Sequence, residues 1–283
     1  MVQQRGFPAD DRPAGRITRG KTAPNRLRRA DLFLAAYDPA LINRDDDSLV
    51  VDLGYGAEPT TTLEMASRLR RLNPDLPVLG VEMDPVRVEL ALPFADDLTS
   101  FREGGFDLPL AAGETVRLVR AFNVLRQYDE AEALPALERL AEQVVPGGLL
   151  MDGTSDPTGR VWTASMLRCR TASGPRLEAL VLGTNFRDDF DPEAFQTRLP
   201  KSFIHRCVPG DPVHGFVEDW KAAARDTRSS ETWGPRAWFT AAAGALTARG
   251  YDIVRPDVWP RRGWLAWRAP NLDLERGELR SGL

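Results

Sequence analysis

Between Ser48 and Gly153 the chain repeats one pattern: a short uninterrupted apolar run, a turn, then a stretch whose apolar residues recur at helical spacing. A strand that is apolar on both sides of its pleat has to be covered on both faces, as in a parallel sheet with crossover helices. The expected strands are "SLVVDL", "VLGVEMD", a run near "LTSF", "TVRLVRAFNVL" and "PGGLLMDGT". Between them, "TLEMASRLRRL" places Leu63, Ala66, Leu69 and Leu72 on one helical face, and Thr61 with Glu64 has the spacing of a capping box. Pro85 opens a short helix. Pro135 is expected to start the main helix of "DEAEALPALERLAEQVV", with Leu137, Leu140, Ala141 and Val144 inward.

After residue 154 the pattern changes. "RVWTASMLRCR" and "RLEALVLGTN" read as a hairpin of two longer strands, "DPEAFQTRL", "PVHGFVEDWKAAARDT" and "WGPRAWFTAAAGALTARG" as helices, and "YDIVRP" and "GWLAWRA" as the last strands. All seven tryptophans lie at or after Trp162, and the expectation is that most are core. At the other end, residues 1–30 carry eight basic side chains against Asp10 and Asp11, the composition of an extended basic arm. The arm passes into an apolar pattern (Leu27, Leu32, Phe33, Ala36, Tyr37) that predicts a helix packed on the domain. The expected organisation is therefore an arm and leading helix over 1–45, an α/β domain over 46–270 with halves meeting at 153/154, and a tail over 271–283.

The 283 residues are 42% hydrophobic, enough for one large or two small cores, and the net charge of -4 gives no overall reason to expect nucleic acid. Arg16, Arg19, Lys21, Arg26, Arg28 and Arg29 keep open a local contact with RNA or a phosphorylated ligand, against the plainer reading of a solvated tail. Cys169 and Cys207 have neither metal spacing nor the density of a disulfide framework, which points to a reducing compartment, the cytoplasm. No run approaches the ~20 apolar residues of a membrane span. His205 and His214 have no zinc spacing, and there is no G-x-S-x-G elbow, so neither a metal centre nor a serine hydrolase is expected.

Chemistry concentrates in "VVDLGYGAEPTTT", where a strand ends, turns through Gly54 and Gly56, and opens a helix. A dinucleotide site requires a third glycine where this chain has Pro59, which disfavours a nicotinamide-dependent reductase. The full set of motifs resembles a class I S-adenosylmethionine-dependent methyltransferase, of an actinobacterial type: "VVDLGYG", "LGVEMDPVRVELA", "GGFDLPL", "VRAFNVLRQY" and "PGGLLM" occur in that family's order. Glu58 and Gly104 or Gly105 depart from its pattern. The resemblance implies a Rossmann-like, seven-stranded, mostly parallel sheet with helices on both faces and a C-terminal strand and helix extension. It also implies S-adenosylmethionine as cofactor and an unidentified acceptor.

The resemblance assigns the cofactor to Asp52, Gly54, Tyr55, Gly56, Glu82, Met83 and Phe106. S-adenosylmethionine has no phosphate, but its ribose diol needs an acceptor, and Glu82 at the end of the second strand is placed to take both hydroxyls. Gly54 and Gly56 let backbone approach the amino acid part, Asp52 holds the turn or, through water, the ammonium, and Met83 and Phe106 flank the adenine. Asn123, at the end of the fourth strand, and Tyr128 are the candidate catalytic residues, with Arg126 and Gln127 as further acceptor contacts. A cofactor-binding protein without catalysis remains the alternative.

Overall fold

The computed structural model describes residues 22–169 and 175–268. Most of the basic arm and the C-terminal tail thus lie outside the described residues. The chain opens with helices α1 (Arg28–Tyr37) and α2 (Pro39–Ile42), then alternates β1 (Leu49–Leu53), α3 (Thr60–Leu69), β2 (Val78–Glu82), α4 (Pro85–Ala91), β3 (Thr99–Glu103), β4 (Val116–Phe122), α5 (Glu130–Glu142) and β5 (Val144–Ser155). β6 (Val161–Arg168) and β7 (Arg176–Thr184) follow, then α6 (Glu193–Gln196), α7 (Lys201–Ile204), α8 (Pro212–Asp226), α9 (Pro235–Ala248), β8 (Asp252–Ile253) and β9 (Trp264–Arg268).

The strands form one sheet in the order β3-β2-β1-β4-β5-β6-β7-β9-β8. β1 to β5 pair in parallel, and every pairing beyond β5 is antiparallel. The expected seven-stranded, mostly parallel sheet is thus corrected to nine strands, nearly half of them an antiparallel extension. The reason is local: the β5–β6 and β6–β7 connections are hairpins, which force antiparallel neighbours where a crossover helix would restore parallel ones. Chain order reverses between β1 and β4, and the carboxyl ends of strands at such a switch point are where open α/β sheets bind ligands.

Two apolar layers cover the sheet. One joins α1, α2 and α3 to Leu118, Met151, Met166 and Val181; the other joins α5 to α9 to Val119, Leu150, Leu167 and Leu182. Phe33 of α1 lies 5.2 Å from the Trp259 ring and 5.6 Å from Trp264, so the leading helix is core. Trp162, Trp220, Trp238, Trp259, Trp264 and Trp267 are buried, whereas Trp233 is 82% exposed.

Three local expectations are corrected. Thr61 does not form a capping box with Glu64: its hydroxyl donates to Asp52 at 3.0 Å, while Glu64 accepts from the Asn25 N–H and pairs with Arg68. Leu72 is 40% exposed, and Met65 fills the inward position instead. Pro135 sits inside α5, after Glu130 begins it. Ala131, whose carbonyl loses its helical partner to the proline, is exposed, so that carbonyl is open to solvent.

Arginines inside β4 tie the layers together. Arg117, fully buried, donates to the carbonyls of Leu41 (3.3 Å), Ile42 (3.2 Å), Arg44 (3.1 Å) and Ser48 (2.8 Å), fixing the loop that delivers β1. Arg120, also fully buried, pairs with Asp52 of β1 at 2.7 Å and with Asp31 of α1, and donates to the Thr61 carbonyl of α3 at 3.0 Å. Arg68 of α3 closes the ring on Asp31 at 2.5 Å. Burial works against the Arg120 charge, but the Asp52 and Asp31 carboxylates override it and hold its pKa above the usual arginine value.

Removing one partner of such a network leaves the others charged, buried and unpaired. Arg120→Met is expected to lower unfolding free energy by about 3–5 kcal/mol in denaturant titration. A loss below about 1 kcal/mol would mean that the two aspartates find other partners.

Candidate functional site

The crevice is built where β1 and β2 end. The Gly54 N–H donates to the Val81 carbonyl at 2.7 Å, and the Gly56 N–H donates to Glu82 Oε2 at 2.9 Å. Gly54 and Gly56 have φ of 71° and 95°, a region that side chains with a Cβ rarely adopt, so the turn needs glycine at both positions. Glu82 is 1% exposed; its Oε1 accepts from Met83 N–H at 3.1 Å and lies 3.5 Å from the Arg87 guanidinium. Burial pushes the Glu82 carboxyl above the usual range, opposed by the Gly56 N–H and the Arg87 charge. Asp84, not Glu82, caps α4, accepting from Val86 N–H at 3.0 Å.

Other residues expected here have different surroundings. The Asp52 carboxylate is engaged with Arg120 and with the hydroxyls of Thr61 (3.0 Å) and Thr62 (2.8 Å), so it holds the turn; these contacts argue against the ammonium role. Tyr55 is 3% exposed and wedged beside Ala91 and Phe101, with ring centroids 5.6 Å apart, so the Tyr55 side chain is wall and its backbone is what the turn presents. Phe106 and Tyr128 pack ring against ring at 5.1 Å within the core, each 6% exposed. That packing gives both rings a core partner besides the ligand contacts expected of them. Met83 is half-buried at the crevice. Arg26, counted in the basic arm, donates to Ser155 Oγ at 3.1 Å and is tied to the end of β5.

Asn123 stands at the end of β4 with φ of 60°, a conformation that asparagine tolerates better than most residues. Its N–H donates to the Gly153 carbonyl at 2.7 Å, and its Oδ1 accepts from Ser155 N–H at 3.0 Å. The side-chain oxygen being fixed by a backbone donor, the Nδ2 hydrogens point the other way, and no acceptor meets them among the described residues. Residues 190–199 lie beside this end of the sheet: Arg126 donates to the Thr197 carbonyl at 3.0 Å, Thr163 Oγ1 donates to the Arg198 carbonyl, and Phe190 packs at 4.9 Å on Trp238 and 5.2 Å on Trp220.

Sequence reasoning missed Asp152. It lies on β5, 2% exposed, between Ala121 of β4 and Ser165 of β6. Its carboxylate receives no hydrogen bond or ion pair among the described residues, and Oδ2 is fully buried. Burial alone pushes this carboxyl up to about 7. The signal in the sequence was an acid closing the apolar run "GGLLMD", on a strand with both faces covered.

Among the described residues no helix is long and apolar enough to cross a membrane. No protein-family profile matches the chain, and no curated protein matches it. Solved structures do. The plantazolicin methyltransferase BpumL, in complex with a pentazolic desmethylPZN analogue and SAH, is 11% identical over 47% of this chain and 48% of its own, with a TM-score of 0.35. The CcbJ methyltransferase from Streptomyces caelestis is 19% identical over 55% of this chain and 71% of its own, with a TM-score of 0.35. The citrinin polyketide synthase CMeT domain is 16% identical over 47% of this chain and 36% of its own, with a TM-score of 0.39. The chain thus spans about half the length of BpumL.

Proposed function

We propose that the protein transfers a methyl group from S-adenosylmethionine to an acceptor held at the carboxyl ends of β4 and β5. The observation that carries this reading is the meeting of the Glu82 carboxylate with the Gly54–Gly56 turn at the point where strand order reverses. A nucleoside with a free diol needs such a carboxylate, and a sulfonium without phosphate needs no phosphate-cradling third glycine.

The residues fit the group on one condition. A carboxylate offers about four lone-pair sites. Those of Glu82 already take the N–H groups of Gly56, Met83 and, at 3.4 Å, Asp84, with Arg87 at 3.5 Å from Oε1. One ribose hydroxyl therefore reaches Glu82 with Arg87 drawn aside, which its partly exposed side chain and its pairing with Asp84 allow, and the second takes the place of the long Asp84 N–H contact. The backbone of Gly54 and Gly56 would face the amino acid part, and Met83 the adenine. Bound there, the cofactor supplies an electrophilic methyl carbon. The protein supplies alignment and a water-poor site, the chief contributions to a displacement in which charge disappears. Asn123, whose Nδ2 hydrogens meet no acceptor among the described residues, positions the acceptor by hydrogen bond.

A second reading is cofactor binding without turnover, favoured by Pro59 in place of a third glycine and by the burial of Tyr128, the candidate weak base, against Phe106. Transfer of labelled methyl groups into a metabolite extract separates the two. Among the described residues nothing supports an RNA contact: Arg26 of the basic arm is bound to Ser155, and residues 1–21 lie outside them.

Calorimetry is expected to show binding of S-adenosylhomocysteine, with Glu82→Ala weakening it about tenfold to a hundredfold, as loss of charge-assisted hydrogen bonds requires. Binding of NAD(P)H with no response to either sulfur compound would overturn the reading. Asn123→Gly, which preserves the left-handed backbone, is expected to leave that affinity within threefold while methyl transfer falls at least about tenfold in radiolabel assays. Unchanged transfer would remove Asn123 from the site.

A further inference from the structure

The other buried charged side chains among the described residues are compensated: Asp31 and Asp52 by Arg120, Glu82 by backbone N–H groups, Arg117 by carbonyls, and Arg206 by Asp211. Asp152 is not. A lone carboxylate in an apolar interior destabilises the fold that holds it, and such groups concentrate where they act on something else.

Its neighbours across the sheet are small or hydroxylated. The residues paired with it are Ala121 on one side and Ser165 on the other. The next pair on the same side of the sheet is Thr154 with Thr163, adding two hydroxyls to that of Ser165. Asp152 precedes Gly153, whose carbonyl receives the Asn123 N–H, so the carboxylate and the Asn123 amide belong to the same β4–β5 joint. Residues 190–204 lie over this side of the sheet, with the Arg198 carbonyl on Thr163.

We propose that Asp152 is the proton acceptor for a small amine acceptor, whose ammonium group is the cation that this interior carboxylate lacks. The inference rests on the methyl-transfer reading and gives it a substrate class. The amine enters as an ammonium and gives one N–H proton to Asp152, leaving a neutral nitrogen with its lone pair. That lone pair forms the new bond to the sulfonium methyl carbon; the carbon–sulfur bond breaks with its electron pair retained on sulfur, and the product leaves as a methylated ammonium. Asp152 then returns its proton to water. A carboxyl near 7 lies within a few pKa units of amines, whose ordinary values run from about 8 to 10.4, whereas an alkyl hydroxyl is out of its reach. No charged group among the described residues acts on it; the polar neighbours across the pairing are Ser165, Thr154 and Thr163.

The sign for stability follows. A carboxyl whose folded pKa is raised contributes stability below its unfolded value, near 3.9, and loses that contribution as pH rises through about 7. Asp152→Asn in the full chain is therefore expected to melt at a higher temperature than the wild type at pH 8, with the difference shrinking as pH falls and vanishing only near pH 4, the unfolded value. It should bind S-adenosylhomocysteine within twofold of the wild type and lose at least about 100-fold in kcat/KM for amines identified from a panel of primary and secondary amines with labelled methyl donor. The wild-type rate should rise with pH through a limb near 7 that the variant lacks. Asp152→Ser serves the same comparison if the asparagine variant folds poorly. Amine methylation within threefold of wild type in a folded variant overturns the proposal, as does a wild-type protein that binds S-adenosylhomocysteine but methylates only hydroxyl, thiol or carbon acceptors, or none of the amines. Failure of the wild type to bind S-adenosylhomocysteine would instead sink the underlying methyl-transfer reading.

Discussion

The site depends on a guanidinium sealed from water. Arg120 binds the acid that ends β1, an acid on the leading helix and a carbonyl in the first turn of α3. Three elements distant in sequence are thereby brought to one point, and the glycine turn spans the short gap between two of them. The position of Gly54 and Gly56 is thus set from below by charge, while Glu82 sets it from the side by accepting the Gly56 N–H. Because a buried ion network weakens sharply when its geometry is disturbed, it specifies one arrangement of β1, β4, α1 and α3 more strongly than apolar packing alone would.

Charge is handled differently on the two sides of the sheet. On the side of α1 and α3, acids and arginines are matched and the result is rigid. On the side of α5 to α9, the core is aromatic and aliphatic, with Phe190, Phe195, Trp220, Trp238 and Phe239 in mutual contact, and the acid of β5 is left alone. The matched charges lie beneath the glycine turn, and an unmet charge lies beneath the β4–β5 joint.

The first five strands and the longer helices were legible because apolar runs and helical spacing are local signals: "SLVVDL" and "VLGVEMD" became β1 and β2, and "PVHGFVEDWKAAARDT" became α8. The hairpin of β6 and β7 was legible for the same reason. What sequence did not reveal was pairing across distance. Arg120 and Asp31 are 89 positions apart, and nothing local in "TVRLVRAF" distinguishes a surface arginine from one enclosed between two carboxylates. The Thr61–Glu64 spacing misled because a cap and a tertiary partner compete for one hydroxyl, and Asp52 won. Phe106 and Tyr128 were legible as residues after β3 and β4, but the packing of their two rings on each other, across 22 positions, had no local signal.

The contact of Phe33 with Trp259 and Trp264 bears on how the chain is made. A ribosome releases residue 33 long before residue 259, so the leading helix waits through most of synthesis for the indoles that complete its seat. The interval in which α1, β1 and α3 are out of the ribosome but not yet closed is the one in which their apolar faces would need shielding. A chain whose early and late segments share one core matures as a unit, whatever division of labour its two halves later adopt.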